Sequence, residues 1–196
     1  MAVIDKTQML FMLNEEVSKC IKCADLVSNR SKTVFGVGNH DAKVMFIGEA
    51  PGQKEDEKGE PFVGPAGQLL TNIIIACGWK REDVYIANIC KCRPPGNRTP
   101  TTEEATNCRP FLDLQIKVVN PQYIVCLGGC AAQNLLGVKT PISMLRGQVF
   151  NYNKKVICTF HPSFLLHNPS RKPDVWEDMQ FLIKTMVENE QSAPAN

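Results

Sequence analysis

Nine cysteines stand in a chain of 196 residues, and four of them have a spacing that suits metal chemistry. Cys20 and Cys23 form a C-x2-C pair near the start, while Cys92 and Cys108 bracket a basic loop. A lone C-x2-C pair would suit dithiol redox chemistry. Two early and two late thiolates can instead close one four-cysteine metal site. Iron–sulfur clusters and structural zinc share this ligand set, and spacing alone does not separate them. The N-terminal stretch "MAVIDKTQMLFMLNEEV" carries an acid inside its apolar run and no small-residue cleavage pattern, so it reads as an amphipathic helix and not a signal peptide. In that setting metal ligation is favoured over a disulfide framework. Cys77, Cys126 and Cys158 lie in apolar runs and read as small buried hydrophobes. Cys90 and Cys130 take no assignment.

A second stretch with chemical content is "GEAPGQKEDEKGEPFVG", Gly48 to Gly64, which follows the apolar run "KVMFI". Glycines after a strand often cradle phosphates on backbone N–H groups. Here Glu49, Glu55, Asp56, Glu57 and Glu60 would repel a polyphosphate. The P-loop spacing is absent, and so is G-x-G-x-x-G. Phosphate binding is therefore disfavoured, and Asp56, Glu57, Lys58 and Glu60 read as a solvated charged turn. Phe62 lies between Pro61 and Gly64, where its face could stack on a flat ring or plug the start of a helix. Asn88 and His161 each follow an apolar run, "VYIA" and "VICTF".

The elements that must position these residues follow from the pattern. Four apolar runs, "KVMFIG", "DVYIAN", "QYIVCLG" and "KVICTFH", alternate with helix-like segments starting near Pro65, Thr102, Gly129 and Asp174. This predicts an α/β fold of three layers, α/β/α, around a mostly parallel four-stranded sheet. Such sheets bind ligands at the C-terminal ends of their strands, where Gly48, Asn88, Gly128 and His161 fall. The stretch "KCRPPGNRTPTTEE" reads as a surface loop with basic Lys91, Arg93 and Arg98, closing on a cap at Thr101 or Thr102 ahead of Glu104. The length predicts one domain over residues 1–188 with a flexible tail at 189–196. A net charge of +2 announces no global basic field, so contact with a polyanion must come from local patches. No run is long enough to span a membrane, and a cytoplasmic monomer is expected.

One local patch is "FHPSFLLHNPSRK". Apolar residues in a turn flanked by cations suit a wedge entering a duplex while the cations hold phosphates. A helix with a core-facing leucine pair and a solvated basic end is the competing reading.

Taken together, "GEAPGQKEDEKGEPFVGPAGQLL", "VYIANICKCRPPGNRTPT", "CRPFL" and "HPSFLLHNPSRK" resemble, in order, the family 4 uracil-DNA glycosylases, the iron–sulfur branch of the uracil glycosylase superfamily. The resemblance implies a DNA repair enzyme that flips uracil out of single- or double-stranded DNA and hydrolyses its N-glycosidic bond. It implies that Cys20, Cys23, Cys92 and Cys108 hold a structural [4Fe-4S] cluster. It further implies a uracil pocket of Glu49, the Ala50 backbone, Pro51, Phe62 as stacking face, Asn88 as base reader and His161 at the uracil O2. Glu55 would crowd the C5 edge, where thymine carries a methyl. Glu49, Asn88 and His161 are the catalytic candidates. Leu165, Leu166, His167, Asn168, Ser170, Arg171 and Lys172 are the implied DNA contacts.

Other branches of the superfamily carry an Asp general base at the position of Ala50, which this chain lacks as family 4 members do, so Glu49 is the first candidate for the group that activates water, with Asn88 or bare electrostatic stabilisation as substitutes. A related branch binds uracil-DNA and traps its product covalently; it carries a basic, histidine-bearing insert after the Asn strand and a Gln where Ala50 stands. The loop "KCRPPGNRTPTTEEATNC" has no histidine, which favours turnover. A zinc-stabilised nucleic-acid module without catalysis is the third reading.

Overall fold

All four apolar runs form strands, and two short strands that the pattern does not announce extend the sheet at its edges. The structure, a computed structural model, describes residues 5–192. Its strands are β1 (Val37–Gly38), β2 (Val44–Gly48), β3 (Tyr85–Asn88), β4 (Tyr123–Leu127), β5 (Val149–Asn151) and β6 (Lys155–Thr159). They form one mixed sheet in the order β1-β3-β2-β4-β6-β5. The four central strands are mutually parallel, and β1 and β5 pair antiparallel at the two edges. The expected four-stranded sheet is thus a six-stranded one. β1 and β5, of two and three residues, are too short for periodicity to reveal.

The helices are α1 (Lys6–Ser18), α2 (Ala24–Asn29), α3 (Gln53–Lys58), α4 (Pro65–Ala76), α5 (Thr102–Val119), α6 (Gly128–Leu136), α7 (Ile142–Leu145), α8 (Pro162–His167) and α9 (Lys172–Ser192). Alternate strand residues face opposite layers. Met45, Ile47, Ile124, Cys126 and Cys158 pack with Leu10 and Leu13 of α1, Leu112 and Ile116 of α5, and Ala131 of α6. Phe46, Ile86, Val125 and Ile157 pack with Leu70 and Ile74 of α4, Leu165 of α8, and Met179 and Leu182 of α9. Each large apolar side chain sealed this way contributes about 1.5–3 kcal/mol relative to exposure.

Local chemistry sets the helix starts. Thr101 caps α5: its side chain accepts the Glu104 N–H at 3.1 Å, and the Glu104 carboxylate accepts the Thr101 N–H at 2.7 Å. Arg98 closes on the same carboxylate through its two terminal guanidinium nitrogens, at 2.7 and 2.8 Å. Two sequence expectations change here. Asp56 is not solvated but buried, accepting the Ser31 N–H on both oxygens at 2.9 Å. Lys91, expected on the loop surface, is only 1% exposed.

At the ends, α1 covers most of the helix expected near the N-terminus, and residues 1–4 lie outside the described residues. Cys20 and Cys23 sit just after α1, with Cys23 at the start of α2. Where a tail is expected from residue 189, α9 continues to Ser192, and residues 193–196 lie outside the described residues. No described helix is long and apolar enough to cross a membrane.

Candidate active site

Register brings four strands to a common end. Gly48 pairs with Asn88 and Leu127 with Thr159, so Glu49, Asn88, Gly128 and His161 emerge along one edge. All seven residues expected at the base pocket line one cleft of about 340 Å³ there: Glu49, Ala50, Pro51, Glu55, Phe62, Asn88 and His161.

Asn88 is almost fully buried at the end of β3. Its side-chain oxygen is the one buried side-chain nitrogen or oxygen atom among the described residues that lacks a hydrogen-bond partner. Leaving such an acceptor unpaired costs about 1–3 kcal/mol, so the position calls for a donor from outside the protein. Its surroundings are tight. A Cβ on Gly48 would lie 2.4 Å from Asn88 Oδ1 and 2.5 Å from Phe62 Cζ. Only glycine at the end of β2 lets the amide and the aromatic ring converge.

Phe62 has a φ of +54°, in the left-handed region that bulky side chains avoid. Holding it there costs on the order of 1–3 kcal/mol. Its ring is buried and lies 5.6 Å from the His161 ring, tilted by 33°. Glu55 fixes the following backbone: its Oε1 accepts the Val63 N–H at 2.9 Å and the Gly64 N–H at 2.7 Å.

His161 caps α8. Its Nδ1 accepts the Ser163 N–H at 3.1 Å and lies 2.7 Å from Ser163 Oγ. A ring nitrogen that accepts an N–H carries no proton, and this pattern assigns the proton to Nε2. Burial pushes the imidazole from its ordinary 6.5 down to about 4, against an opposing pull from Glu55. At neutral pH the ring is therefore an uncharged Nε2–H donor. Gly128, with a φ of +89°, makes room for it: a Cβ there would meet His161 Cβ at 2.9 Å.

Behind the cleft lies a polar network that the sequence reading missed. Lys91 Nζ donates to the Asn88 carbonyl at 2.8 Å and to Gln115 Oε1 at 2.5 Å, and Gln115 in turn donates to the Phe35 carbonyl and the Tyr85 hydroxyl. Lys91 thus holds the end of β3 from beneath. A lysine placed directly between Cys90 and Cys92, one residue beyond an apolar run, was the available signal. Ser163, two residues after His161 at a helix start, was another.

Cys20, Cys23, Cys92 and Cys108 line a single small cavity. Donors point at their sulfurs: Arg30 Nη1 to Cys92 at 2.9 Å, the Lys91 N–H to Cys108 at 3.3 Å and Asn107 Nδ2 to Cys23 at 3.7 Å. Such donors suit sulfurs that carry negative charge. Among the described residues, no three His, Cys, Asp or Glu side chains converge on a single-ion position. Cys90 is buried beside Cys108, and Cys126 and Cys158 are buried as register partners on β4 and β6.

The segment expected to meet DNA divides. Leu165, expected as a contact, is instead 1% exposed, packed in the core under α8. A helix presents only one face to solvent, and that face carries Leu166, 46% exposed, with Phe164. His167, Ser170, Arg171 and Lys172 are exposed, and Asn168 is half-buried, its Nδ2 donating to the Phe164 carbonyl. Arg171 pairs with Asp174 at 2.8 Å and lies over the Phe160 ring at 5.2 Å.

A family model for the uracil DNA glycosylase superfamily matches residues 35–180, a span that contains every cleft residue named above. The chain belongs to that superfamily. Among its relatives, the type-4 uracil-DNA glycosylase of Thermotoga maritima is 47% identical over 170 residues, covering 85% of this chain and 88% of that protein. The type-4 enzyme of Archaeoglobus fulgidus is 45% identical, covering 84% and 87% of the two chains. That of Sulfurisphaera tokodaii is 41% identical, covering 86% and 80%. Within the superfamily match the sheet edge, the cleft and α8 are one continuous unit, whereas Cys20 and Cys23 lie upstream of it.

Proposed function

We propose that this member of the superfamily is a type-4 uracil-DNA glycosylase: it flips uracil out of DNA, hydrolyses the N-glycosidic bond and leaves an abasic site. The observation that carries this is the unpaired, buried Oδ1 of Asn88 in the cleft. Uracil supplies the missing donor at N3–H, while the Asn88 amide NH2 meets its O4. A flipped base reaches this pocket by leaving its stack. Phe62 is its stacking face, Ala50 and Pro51 wall its edge, and the Glu55 carboxylate, anchored to Val63 and Gly64, stands where the thymine methyl would go.

Bond cleavage places positive charge on the sugar and negative charge on the departing base. The Glu49 carboxylate stabilises the cation and orients the attacking water. His161, neutral and protonated on Nε2, donates to uracil O2 as the base becomes anionic. The N-terminus of α6 at Gly128 adds a positive field on the same side.

Cys20, Cys23, Cys92 and Cys108 are the residues that would hold a [4Fe-4S] cluster, a reading supported by the one small cavity they line and by the donors that point at their sulfurs. Held there, it would cross-link the α1–α2 junction, the loop after β3 and α5. On DNA, Leu166 takes the wedge role in place of Leu165, with His167, Asn168, Ser170, Arg171 and Lys172 along the backbone. We read the chain as one domain, expected over residues 1–188 and extended by α9 to Ser192, that acts as a cytoplasmic monomer.

The test is incubation of purified protein with a uracil-containing oligonucleotide, followed by alkali. Strand scission at the uracil, absent in a thymine control, is expected. An intact uracil strand under conditions where the protein binds it would overturn the proposal.

A further inference from the structure

Phe62 is held in its unfavourable backbone conformation from two sides, and one of the holders stands outside the cleft. Arg81 lies in a short turn just before β3. Its Nη2 donates to the carbonyls of Pro61 at 2.8 Å and Phe62 at 3.1 Å, and its Nη1 donates to Thr71 Oγ1 of α4 at 3.1 Å. On the far side Glu55 takes the N–H groups of Val63 and Gly64. The Phe62 carbonyl is pressed onto α4 so closely that a Cβ on Gly67 would lie 1.8 Å from its oxygen. Arg81 is half-buried, and its nearest carboxylate, Glu60, is 4.0 Å away, so its closest partners are two backbone oxygens and the Thr71 hydroxyl.

We propose that Arg81 is a positioning residue for base recognition: its guanidinium locks the Pro61–Phe62 carbonyls and so keeps the Phe62 ring over Gly48 and beside His161. Without that fork both carbonyls lose their donor, and Phe62 relaxes toward negative φ. The ring then leaves the cleft, although no atom touching the base has been altered. A lysine at this position offers charge without the planar fork and restores the lock only in part. This inference rests on the reading of Phe62 as the stacking face.

The test combines Arg81→Gln, Arg81→Lys, Phe62→Leu and the double variant Phe62→Leu/Arg81→Gln. Two readouts are taken: single-turnover uracil excision, and the proton shifts of the His161 ring, which feel the ring current of Phe62 at 5.6 Å. Arg81→Gln is expected to move the His161 shifts and lower excision about tenfold or more, as the loss of charged hydrogen bonds predicts. Arg81→Lys is expected between the two. In the Phe62→Leu background, Arg81→Gln should change excision by less than about twofold, because residues acting as one unit are not additive. Unmoved His161 shifts in Arg81→Gln, or the same loss of excision in both backgrounds, would overturn the proposal. If Phe62→Leu excises at the wild-type rate while Arg81→Gln still moves the His161 shifts, the positioning role stands and the stacking reading fails. Should Arg81→Gln not fold, unmoved His161 shifts in Arg81→Lys overturn the proposal.

Discussion

Gly48 and Asn88 are register partners on adjacent parallel strands, and the Asn88 side-chain oxygen sits 2.4 Å from where a Cβ on Gly48 would stand. The same Cβ would press on the Phe62 ring. Gly48→Ala must therefore displace the amide, the ring or both, at a site where misplacement by about 1 Å can cost about a hundredfold in rate. The expected outcome is a loss of excision of that order with unchanged affinity for abasic DNA. Excision within about threefold of wild type, a small effect on the scale of 1.4 kcal/mol per decade, would show that the convergence of Asn88 and Phe62 is not needed.

His161 makes a pH prediction. Its folded value of about 4 lies below its ordinary 6.5, so between these limits the unfolded chain binds the proton more readily. The stability associated with a neutral His161 is complete above 6.5 and is lost as pH falls toward 4. His161→Gln should flatten the stability profile in that window, measured by denaturant unfolding at stepped pH. Nitrogen NMR should show Nε2 protonated and Nδ1 bare at neutral pH, and excision should show no step near 6.5. A step there, or a charged ring at pH 6, contradicts the donor assignment.

The proposed cluster makes a prediction about iron. Protein purified without oxygen should be brown and contain about four irons per chain, as a four-cysteine cubane requires. Cys92→Ser should lose most of the iron and unfold at lower temperature, since the loop after β3 is untied. One zinc per chain and no iron would defeat the cluster.

Arg171 is offered to solvent but paired with Asp174. Arg171→Ala should lower the slope of log affinity against log salt by about one, leaving the chemical step nearly intact. An unchanged slope would remove Arg171 from the phosphate contacts and leave it as a cap on the start of α9.

Much of this was legible from local pattern. The four buried strands announce themselves as short apolar runs ending in Gly48, Asn88, Gly128 and His161, and the parallel sheet then forces those ends together. What stayed hidden depends on contacts remote in sequence. Lys91 reads as a surface charge until Gln115, 24 residues on, is seen to receive it. Arg81 has no motif at all, and its partner carbonyls lie 19 and 20 residues upstream. Leu165 and Leu166 are indistinguishable by type, and only the rotation of α8 against the sheet sends one inward and the other out. Asp56 sits in a run of charges whose other members are largely exposed, and only the Ser31 backbone explains its burial.

The central claim is that the unpaired oxygen of Asn88 reads the N3–H of uracil, and single-turnover excision by Asn88 variants tests it most directly. Asn88→Ala should lower uracil excision by about two orders of magnitude or more, the effect of removing a transition-state hydrogen-bond partner, while affinity for the duplex changes little. Asn88→Asp, assayed where its carboxyl is protonated, should raise cytosine excision relative to uracil, because a protonated carboxyl can donate to cytosine N3 and accept from its amino group. Near wild-type uracil excision by Asn88→Ala would contradict the account and leave Asn88 as a structural cap at the end of β3.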